Sequence, residues 1–250
     1  MNQPQPLLEV RGFSKRFGAK IVHENSDFTL YPREVVSLIG GSGTGKSVLL
    51  RAIIGLESPD RGEILFKGKN LVGLSEDEWI EVRKSIAYAF QGGALFDSLT
   101  VEENLLYPLD AHTKLSRSEK QKKVDATLDL LGLKGANHLL PSDLSGGMQK
   151  RAGLARALIL DPEVILYDEP TAGLDPFNTK NVQDIINDLK ARGKAGVLVT
   201  HDMPTAMATC ERLSLLMNGR IEISGHMNAL KDHPLVKSFI TGEMAYGKTQ

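Results

Sequence analysis

Eight consecutive residues place glycines, a lysine and a hydroxyl at the spacing G-x-x-x-x-G-K-[S/T]. They are Gly40, Gly41, Ser42, Gly43, Thr44, Gly45, Lys46 and Ser47. The glycines allow a turn whose backbone N–H groups point inward at phosphate oxygens, and the helix that follows adds the positive end of its dipole. Lys46 supplies an ammonium for the β- and γ-phosphates, and Ser47 a hydroxyl for Mg²⁺. The segment predicts a nucleotide-binding loop, against the alternative of a chance glycine-rich turn.

Two carboxylates, Asp168 and Glu169, follow the apolar run of residues 164–167. At the carboxyl end of a buried parallel strand such side chains lie beside the crevice where ligands bind. Asp168 is expected to hold Mg²⁺ through water, and Glu169 to accept a proton from the attacking water or polarise it. Acidic residues also end strands for solubility alone, so the pair predicts hydrolysis only in combination with the glycine-rich loop.

A second candidate phosphate-binding element is Ser145-Gly146-Gly147, which precedes the helical pattern of residues 148–160. Serine and glycine at a helix start make an anion-binding N-terminus. One nucleotide needs only one loop of the first kind, so the second element suggests a nucleotide held between two surfaces. An ordinary helix N-cap is the alternative.

Apolar runs of strand length alternate with helical patterns along the chain, which predicts a parallel sheet covered by helices. Nearly continuous apolar runs, typical of strands buried on both faces, occur at residues 35–39, 164–167 and 197–199. Shorter strands of a flanking sheet are expected at residues 7–10, 28–30 and 63–66, and a further strand at 86–90. The pair Asn218-Gly219 predicts a hairpin turn between strands at 213–217 and 220–224.

Residues 92–160 have a different character, because they show no convincing strand pattern. Two of the three Ser/Thr-x-x-Glu pairs that mark helix starts lie within them. The three pairs are Ser75/Glu78, Thr100/Glu103 and Ser116/Glu119. We therefore expect a helical insertion between two strands of the α/β core.

Composition excludes several classes of protein. Thirty basic and thirty-one acidic residues nearly cancel among the 250, whereas nucleic-acid binders usually show a basic excess. No nucleic-acid partner is expected, and the basic residues of 117–123 are interpreted as a solvated helix face. The apolar stretches fall far short of the ~20 residues that cross a bilayer, and residues 1–9 lack the layout of a secretory signal. One cysteine, Cys210, fits a reducing compartment, so a cytoplasmic location is predicted.

Together these motifs resemble the ABC ATPase family over nearly the whole chain. The resemblance implies a P-loop NTPase (RecA-like) α/β core with a small antiparallel β subdomain and an inserted α-helical subdomain. It implies one ABC ATPase domain over residues 1–250, with the helical subdomain at 92–160 and a C-terminal segment at 233–250. It also implies a head-to-tail homodimer with ATP and Mg²⁺ between the subunits, where the Ser145–Gly147 element of one subunit closes over the loop of the other.

The resemblance assigns roles to further residues. Phe17 stands where an aromatic ring stacks on adenine, although taken alone it would be read as a core residue. Gln91 is expected to link Mg²⁺ to the helical insertion, joining Ser47 and Asp168 at the metal. Asp175 lies in the loop that crosses the dimer interface. His201 resembles the histidine that contacts the γ-phosphate, which makes Glu169, His201 and Lys46 the expected catalytic residues.

The single nucleotide domain, the absence of sustained heptads and the balanced charge favour a transporter motor over a soluble ATPase acting on DNA or ribosomes. Residues 90–113 and 234–242 are similar to the ATPases of Mla-type, MCE-associated phospholipid transport systems; Gly41 and Gly92 depart from that pattern. The similarity implies an integral membrane permease, a periplasmic MCE-domain protein and a STAS-domain protein as partners. It places the chain peripherally on the cytoplasmic face of a bacterial inner membrane. Motors for lipoprotein release or solute uptake remain the alternatives.

Leu95 and Phe96 follow Gln91 closely in sequence. In the resembled family this region receives the coupling helix of the permease. The two side chains are expected either to form that groove or to fill the core between the subdomains.

Overall fold

The computed structural model describes residues 5–241 and residue 243, so Gly242 and residues 244–250 of the expected C-terminal segment lie outside the described residues. The strands are β1 (Leu8–Phe17), β2 (Lys20–Leu30), β3 (Val35–Ile39), β4 (Arg61–Phe66), β5 (Lys69–Asn70), β6 (Ile86–Ala89), β7 (Val164–Asp168), β8 (Ala195–Val199), β9 (Arg212–Met217) and β10 (Arg220–His226). The helices are α1 (Lys46–Ile53), α2 (Glu76–Ser85), α3 (Val101–His112), α4 (Arg117–Leu130), α5 (Gly146–Leu158), α6 (Pro176–Ala191), α7 (Met203–Thr209), α8 (Met227–Leu230) and α9 (Pro234–Thr241), with a 3-10 turn at Pro141–Asp143.

The larger sheet has the strand order β10-β9-β3-β8-β7-β6, and only its edge strand β10 pairs antiparallel. Every residue of β3 and β8 is buried, as the apolar runs predict. Alternate side chains face two different cores. Val36 and Leu38 face the core shared with the smaller sheet and α1, whereas Ile165 and Tyr167 face the core shared with α5 and α6.

The smaller sheet is antiparallel, with the order β2-β1-β4-β5. Its first two strands are much longer than the expected 7–10 and 28–30. The β1–β2 register shifts at several points beyond Val10, and Gly12 and Asn25 have φ of 59° and 55°. Such bulges break the period-2 alternation from which a strand is recognised in sequence, so the sequence pattern does not reveal the extension.

Residues 92–160 contain α3, α4, the 3-10 turn and α5, and no strand. The helix starts follow the predicted chemistry: Ser75, Thr100 and Ser116 each accept the N–H of the glutamate three residues on. The two sheets and this helical layer confirm the expected α/β core with an antiparallel β subdomain and an α-helical insertion.

Two predicted boundaries were wrong. Helix α5 begins at Gly146 rather than at 148, because Ser145 caps it directly. Strand β6 ends at Ala89, because the chain turns at residues 90–93, where the Gly93 N–H bonds to the Phe90 carbonyl. Among the described helices, none has the length and apolar content needed to cross a membrane.

Candidate functional site

The glycine-rich loop joins the buried strand β3 to helix α1. Gly45 is the N-cap of α1 and has φ 105°, a region that favours glycine over residues with a Cβ. Thr44 Oγ1 closes the turn by donating to the Gly41 carbonyl at 2.9 Å. The N–H groups of the first turn of α1 thus lie at a helix N-terminus, where phosphate binds most readily.

Lys46 is buried against this loop. Its ammonium donates to the carbonyl oxygens of Gly40 at 2.9 Å and Gly41 at 2.8 Å. Burial lowers the pKa of Lys46, and the nearby carboxylates of Glu169 and Asp168 oppose that shift. The lysine charge therefore lies near the two carboxylates that are expected to act on Mg²⁺ and water.

Ser47 and Asp168 meet between α1 and the end of β7. Ser47 Oγ donates to Asp168 Oδ1 at 3.0 Å, and Tyr88 Oη donates to Asp168 Oδ2 at 2.6 Å. Burial is the main cause of the raised pKa of Tyr88, and the hydrogen bond to Asp168 raises it further. The phenol therefore remains a donor. Hydroxyl and carboxylate oxygens placed together are ligands that suit Mg²⁺.

Glu169 follows β7 and adopts an uncommon backbone conformation. Its φ is 50°, and its N–H donates to the Val199 carbonyl at 2.9 Å. A non-glycine residue held there costs about 1–3 kcal/mol, a strain found most often at functional sites. Its side chain is 15% exposed, and that of His201 is 70% exposed. Glu169 Oε1 lies 3.0 Å from His201 Nδ1, which pairs a sheltered carboxylate with an imidazole open to solvent.

Phe17 and Gln91 line two different cavities. Phe17, at the end of β1, is 46% exposed and lines a cleft with Lys20, Gly45 and Ser47, so it lies beside the loop rather than in the core. Gln91 is exposed and lines a small cavity against Lys150 and Arg151 of α5. Asp168, which is expected to share the metal with Gln91, accepts its hydrogen bonds from Ser47 and Tyr88.

Ser145, Gly146, Gly147 and Asp175 belong to a second cluster, at the starts of α5 and α6. Ser145 Oγ accepts the Met148 N–H at 3.3 Å. Arg151 Nη1 donates to Asn178 Oδ1 at 2.8 Å, and the backbone and side-chain amides of Asn178 donate to the Asp175 carboxylate. These bonds lower the pKa of Asp175. A Cβ on Gly147 would lie 2.7 Å from Asn178 Oδ1, which shows how closely the two helix starts approach.

Leu95 and Phe96 have different surroundings. Leu95 packs against the core shared with α5 and α6. Phe96 is 39% exposed, and its neighbour Tyr107 is 56% exposed. Their ring centroids are 5.1 Å apart, and the Arg156 guanidinium lies 4.1 Å from the Phe96 centroid. We call these three residues, Phe96, Tyr107 and Arg156, the aromatic patch. The buried Asn104 fixes the loop that carries Phe96.

Sequence reasoning missed Tyr88, Arg151 and Asn178. Tyr88 reaches Asp168 because β6 pairs with β7, and residues 88 and 168 are far apart in the chain. Arg151 and Asn178 meet across two helix starts. Spacing in sequence carries no signal for either contact.

The chain is similar in sequence to a known family and to several named proteins. The model of the family described as ABC transporter matches residues 23–172. The probable ribonucleotide transport ATP-binding protein mkl of Mycobacterium leprae (strain TN) is 41% identical over 94% of this chain and 69% of that protein. Protein TRIGALACTOSYLDIACYLGLYCEROL 3, chloroplastic, of Arabidopsis thaliana is 42% identical over 97% of this chain and 76% of that protein. The intermembrane phospholipid transport system ATP-binding protein MlaF of Escherichia coli (strain K12) is 38% identical over 94% of this chain and 89% of that protein.

The fold is shared with solved structures as well. A dimeric cassette, MJ0796 in a post-hydrolysis state bound to ADP and Pi, superposes with a TM-score of 0.81 and 32% identity, over 88% of this chain and 98% of that one. The chain spans about two thirds of the length of the mycobacterial relatives. The structural match to MJ0796 covers most of the chain.

Proposed function

This chain belongs to the ABC transporter family as an ATP-binding subunit and ATPase, and on that premise we propose that it is the motor of a complex that moves phospholipids between two membranes. The observation that carries the proposal is its similarity to MlaF, named for intermembrane phospholipid transport, over 94% of this chain and 89% of that protein. The Arabidopsis relative, whose name is that of a galactolipid, supports a lipid substrate. The mycobacterial relatives, named for ribonucleotide transport, favour a second candidate substrate.

The proposed nucleotide site uses residues 40–47 as a phosphate cradle and Lys46 as its cation. Ser47 and Asp168 would hold Mg²⁺, Asp168 through water, with Gln91 as a further ligand. When bound, Mg²⁺ would neutralise charge on the phosphates. Phe17, at the mouth of the cleft, would stack on the adenine. The cradle and the lysine then stabilise the negative charge that develops during phosphoryl transfer.

Hydrolysis also needs an oriented water. Glu169 is sheltered and lies beside His201, so its carboxylate can polarise water while the exposed imidazole reaches the γ-phosphate. The strained backbone of Glu169 holds its carboxylate at the end of β7, one residue from Asp168. We assign Glu169 the role of general base and His201 a contact with the transferred phosphate.

Two half-sites on one chain support a homodimer. The first half-site contains Lys46, Ser47 and Glu169, and the second contains Ser145–Gly147 and Asp175. In a two-fold symmetric pair each first half-site meets the second half-site of the other subunit. ATP between them would hold the dimer together, and hydrolysis would release it. The dimeric MJ0796 structure, at 32% identity, supports this arrangement.

The aromatic patch is the proposed surface for the permease. Two exposed rings and a partly buried guanidinium have the composition of a protein-binding patch. By the resemblance to Mla-type transport systems, the complex would also include a periplasmic MCE-domain protein and a STAS-domain protein. The chain would then act on the cytoplasmic face of the inner membrane as a peripheral subunit.

Affinity purification from the source organism tests the proposal. We expect the full chain to bring down an integral permease and an MCE-domain protein, and a Lys46→Ala chain to bring down the same partners but to lack ATPase activity. A deletion strain should show altered phospholipid distribution between its membranes. Defective ribonucleotide uptake with normal lipids would favour the second candidate, and recovery of ribosomes or DNA without a permease would contradict a transport role.

A further inference from the structure

His23 lies beneath the glycine-rich loop, at a position that no sequence motif marks. The residue is 1% exposed, and its ring packs edge-on against Phe13 with centroids 4.9 Å apart. Nε2 lies 2.9 Å from the Gly45 carbonyl oxygen, and Nδ1 lies 3.2 Å from Ser26 Oγ. A buried imidazole with hydrogen-bond partners at both nitrogens is held in one orientation.

The partners determine which nitrogen carries the hydrogen. A carbonyl oxygen only accepts, so Nε2 donates to Gly45. The Ser26 hydroxyl donates either to Nδ1 or to the Gly219 carbonyl 3.0 Å away. Burial lowers the pKa of His23, which favours the neutral ring. Nε2 remains the donor to Gly45 whether the ring is neutral or protonated.

Gly45 is the residue at which the loop becomes α1. Its carbonyl also accepts the first helical hydrogen bond, from Leu49 N at 3.1 Å. The Gly45–Lys46 peptide is planar and trans, so the Lys46 N–H points away from that carbonyl and out of the helix N-terminus. A Cβ on residue 45 would lie 2.7 Å from His23 Nε2. The ring and the loop backbone are therefore in direct contact, and the orientation of one constrains that of the other.

We propose that His23 is a positioning residue of the nucleotide site: its Nε2–H fixes the Gly45 carbonyl and thereby aims the Lys46 backbone N–H at the phosphates. This inference rests on the proposed role of residues 40–47 as the nucleotide-binding loop. The interaction acts on the nucleotide through a backbone N–H group of the cradle, and His23 itself contacts the Gly45 carbonyl rather than the phosphates or the attacking water. Its loss should affect nucleotide binding more than the chemical step.

Titration of the full chain with Mg-ADP tests this role. His23→Leu fills the space without a donor and should weaken binding about tenfold, the effect of one lost hydrogen bond to the loop. His23→Gln, whose amide nitrogen can occupy the position of Nε2, should restore most of the affinity. In ATPase assays His23→Leu should raise KM and leave kcat within about twofold. Phe13→Leu disturbs the packing of the same ring and serves as the control, with affinity near that of wild type.

Wild-type affinity in the folded His23→Leu chain would overturn the inference, as would a His23→Gln chain that binds as weakly as His23→Leu. A measurement on the unaltered protein covers the case in which His23→Leu does not fold. Nitrogen-15 spectra of the imidazoles should show His23 with a slowly exchanging hydrogen on Nε2, and a hydrogen on Nδ1 alone would refute the inference. Failure of the wild-type chain itself to bind Mg-ADP would instead contradict the proposed function.

Discussion

Substitution of Asn104 by aspartate should make the stability of this chain strongly dependent on pH, because three carbonyl oxygens converge on one side of this buried side chain. Asn104 is 0% exposed. Its Nδ2 donates to the carbonyls of Phe96 at 3.1 Å and of Leu99 and Thr100 at 3.0 Å, and its Oδ1 accepts the Phe96 N–H at 2.8 Å. Aspartate keeps the shape and that acceptor but turns an oxygen toward the three carbonyls.

The cost follows from the protonation state. Burial and the facing carbonyls disfavour the ionised form, so folding raises the pKa of the new carboxyl above the ~3.9 of an unfolded aspartate. A carboxyl of this kind leaves stability intact below the unfolded pKa, where it is protonated in both states, and stability falls as pH rises toward the folded pKa. A pKa difference of one between the folded and unfolded states corresponds to about 1.4 kcal/mol. A pKa raised by about two, moderate for a buried carboxyl, removes about 3 kcal/mol at neutral pH.

Asn104→Leu is the matched control. It deprives the Phe96 N–H and the Leu99 carbonyl of their side-chain partner, at about 1–3 kcal/mol each where the groups stay buried. The Phe96 carbonyl keeps the Leu99 N–H at 3.2 Å. Leucine does not titrate, so its cost should be the same at every pH.

Urea unfolding of the nucleotide-free chain, followed by circular dichroism between about pH 4.5 and 8, measures the difference. We expect the Asn104→Asp and Asn104→Leu chains to be closest in stability at the acidic end, and the aspartate variant to fall progressively below the leucine variant as pH rises. Comparing the two variants at each pH cancels the pH dependence of the rest of the protein. Parallel stability curves would refute the geometry assigned to Asn104.

Three further substitutions test the proposed machinery. Glu169→Gln removes the proposed general base and should lower ATP turnover by about 10²–10⁴-fold, while ATP binding persists and the dimer becomes long-lived. Near-normal turnover in a phosphate-release assay would contradict the proposed role. Tyr88→Phe loses the 2.6 Å hydrogen bond to Asp168 and should raise the Mg²⁺ concentration for half-maximal ATPase activity about tenfold. ATP binding measured in EDTA should be unchanged. An unaltered Mg²⁺ titration would show that Tyr88 does not orient Asp168. Phe96→Glu should abolish co-purification of the permease while sparing ATP binding. The control Leu56→Glu, at a 50% exposed residue beyond α1, should leave co-purification intact. Equal recovery of the permease with both variants would rule out the aromatic patch as the docking surface.

The sequence is most informative where chemistry is carried by neighbouring residues. The loop of residues 40–47 and the pair Asp168-Glu169 are contiguous, and each contains its own structural requirements: glycines for the turn, apolar residues for the buried strand. The capping boxes are equally local, which is why the predicted helix starts at Ser75, Thr100 and Ser116 are confirmed. Residues close together in sequence are therefore enough to predict these features.

The remaining contacts depend on which strands become neighbours. Tyr88 meets Asp168 only because β6 pairs with β7 in register, and His23 meets Gly45 only because the β1–β2 ribbon packs beneath the loop. In β1 and β2 the bulges also erase the alternation that would reveal the strands. These supporting residues are polar side chains at otherwise apolar positions, and their partners are set by topology.

The hydrogen bonds within the second cluster explain how a dimer could use it. Arg151 of α5 is tied to Asn178, and Asn178 is tied to Asp175 at the start of α6. The N-terminus capped by Ser145 is therefore linked to the loop of Asp175, and a displacement of α5 strains the same bonds that hold Asp175. If ATP on the partner subunit engages Ser145, the contact also fixes Asp175 against that partner. Hydrogen bonds thus join two features that the sequence presents as separate motifs, and the proposed closure over a shared nucleotide would use them as one surface.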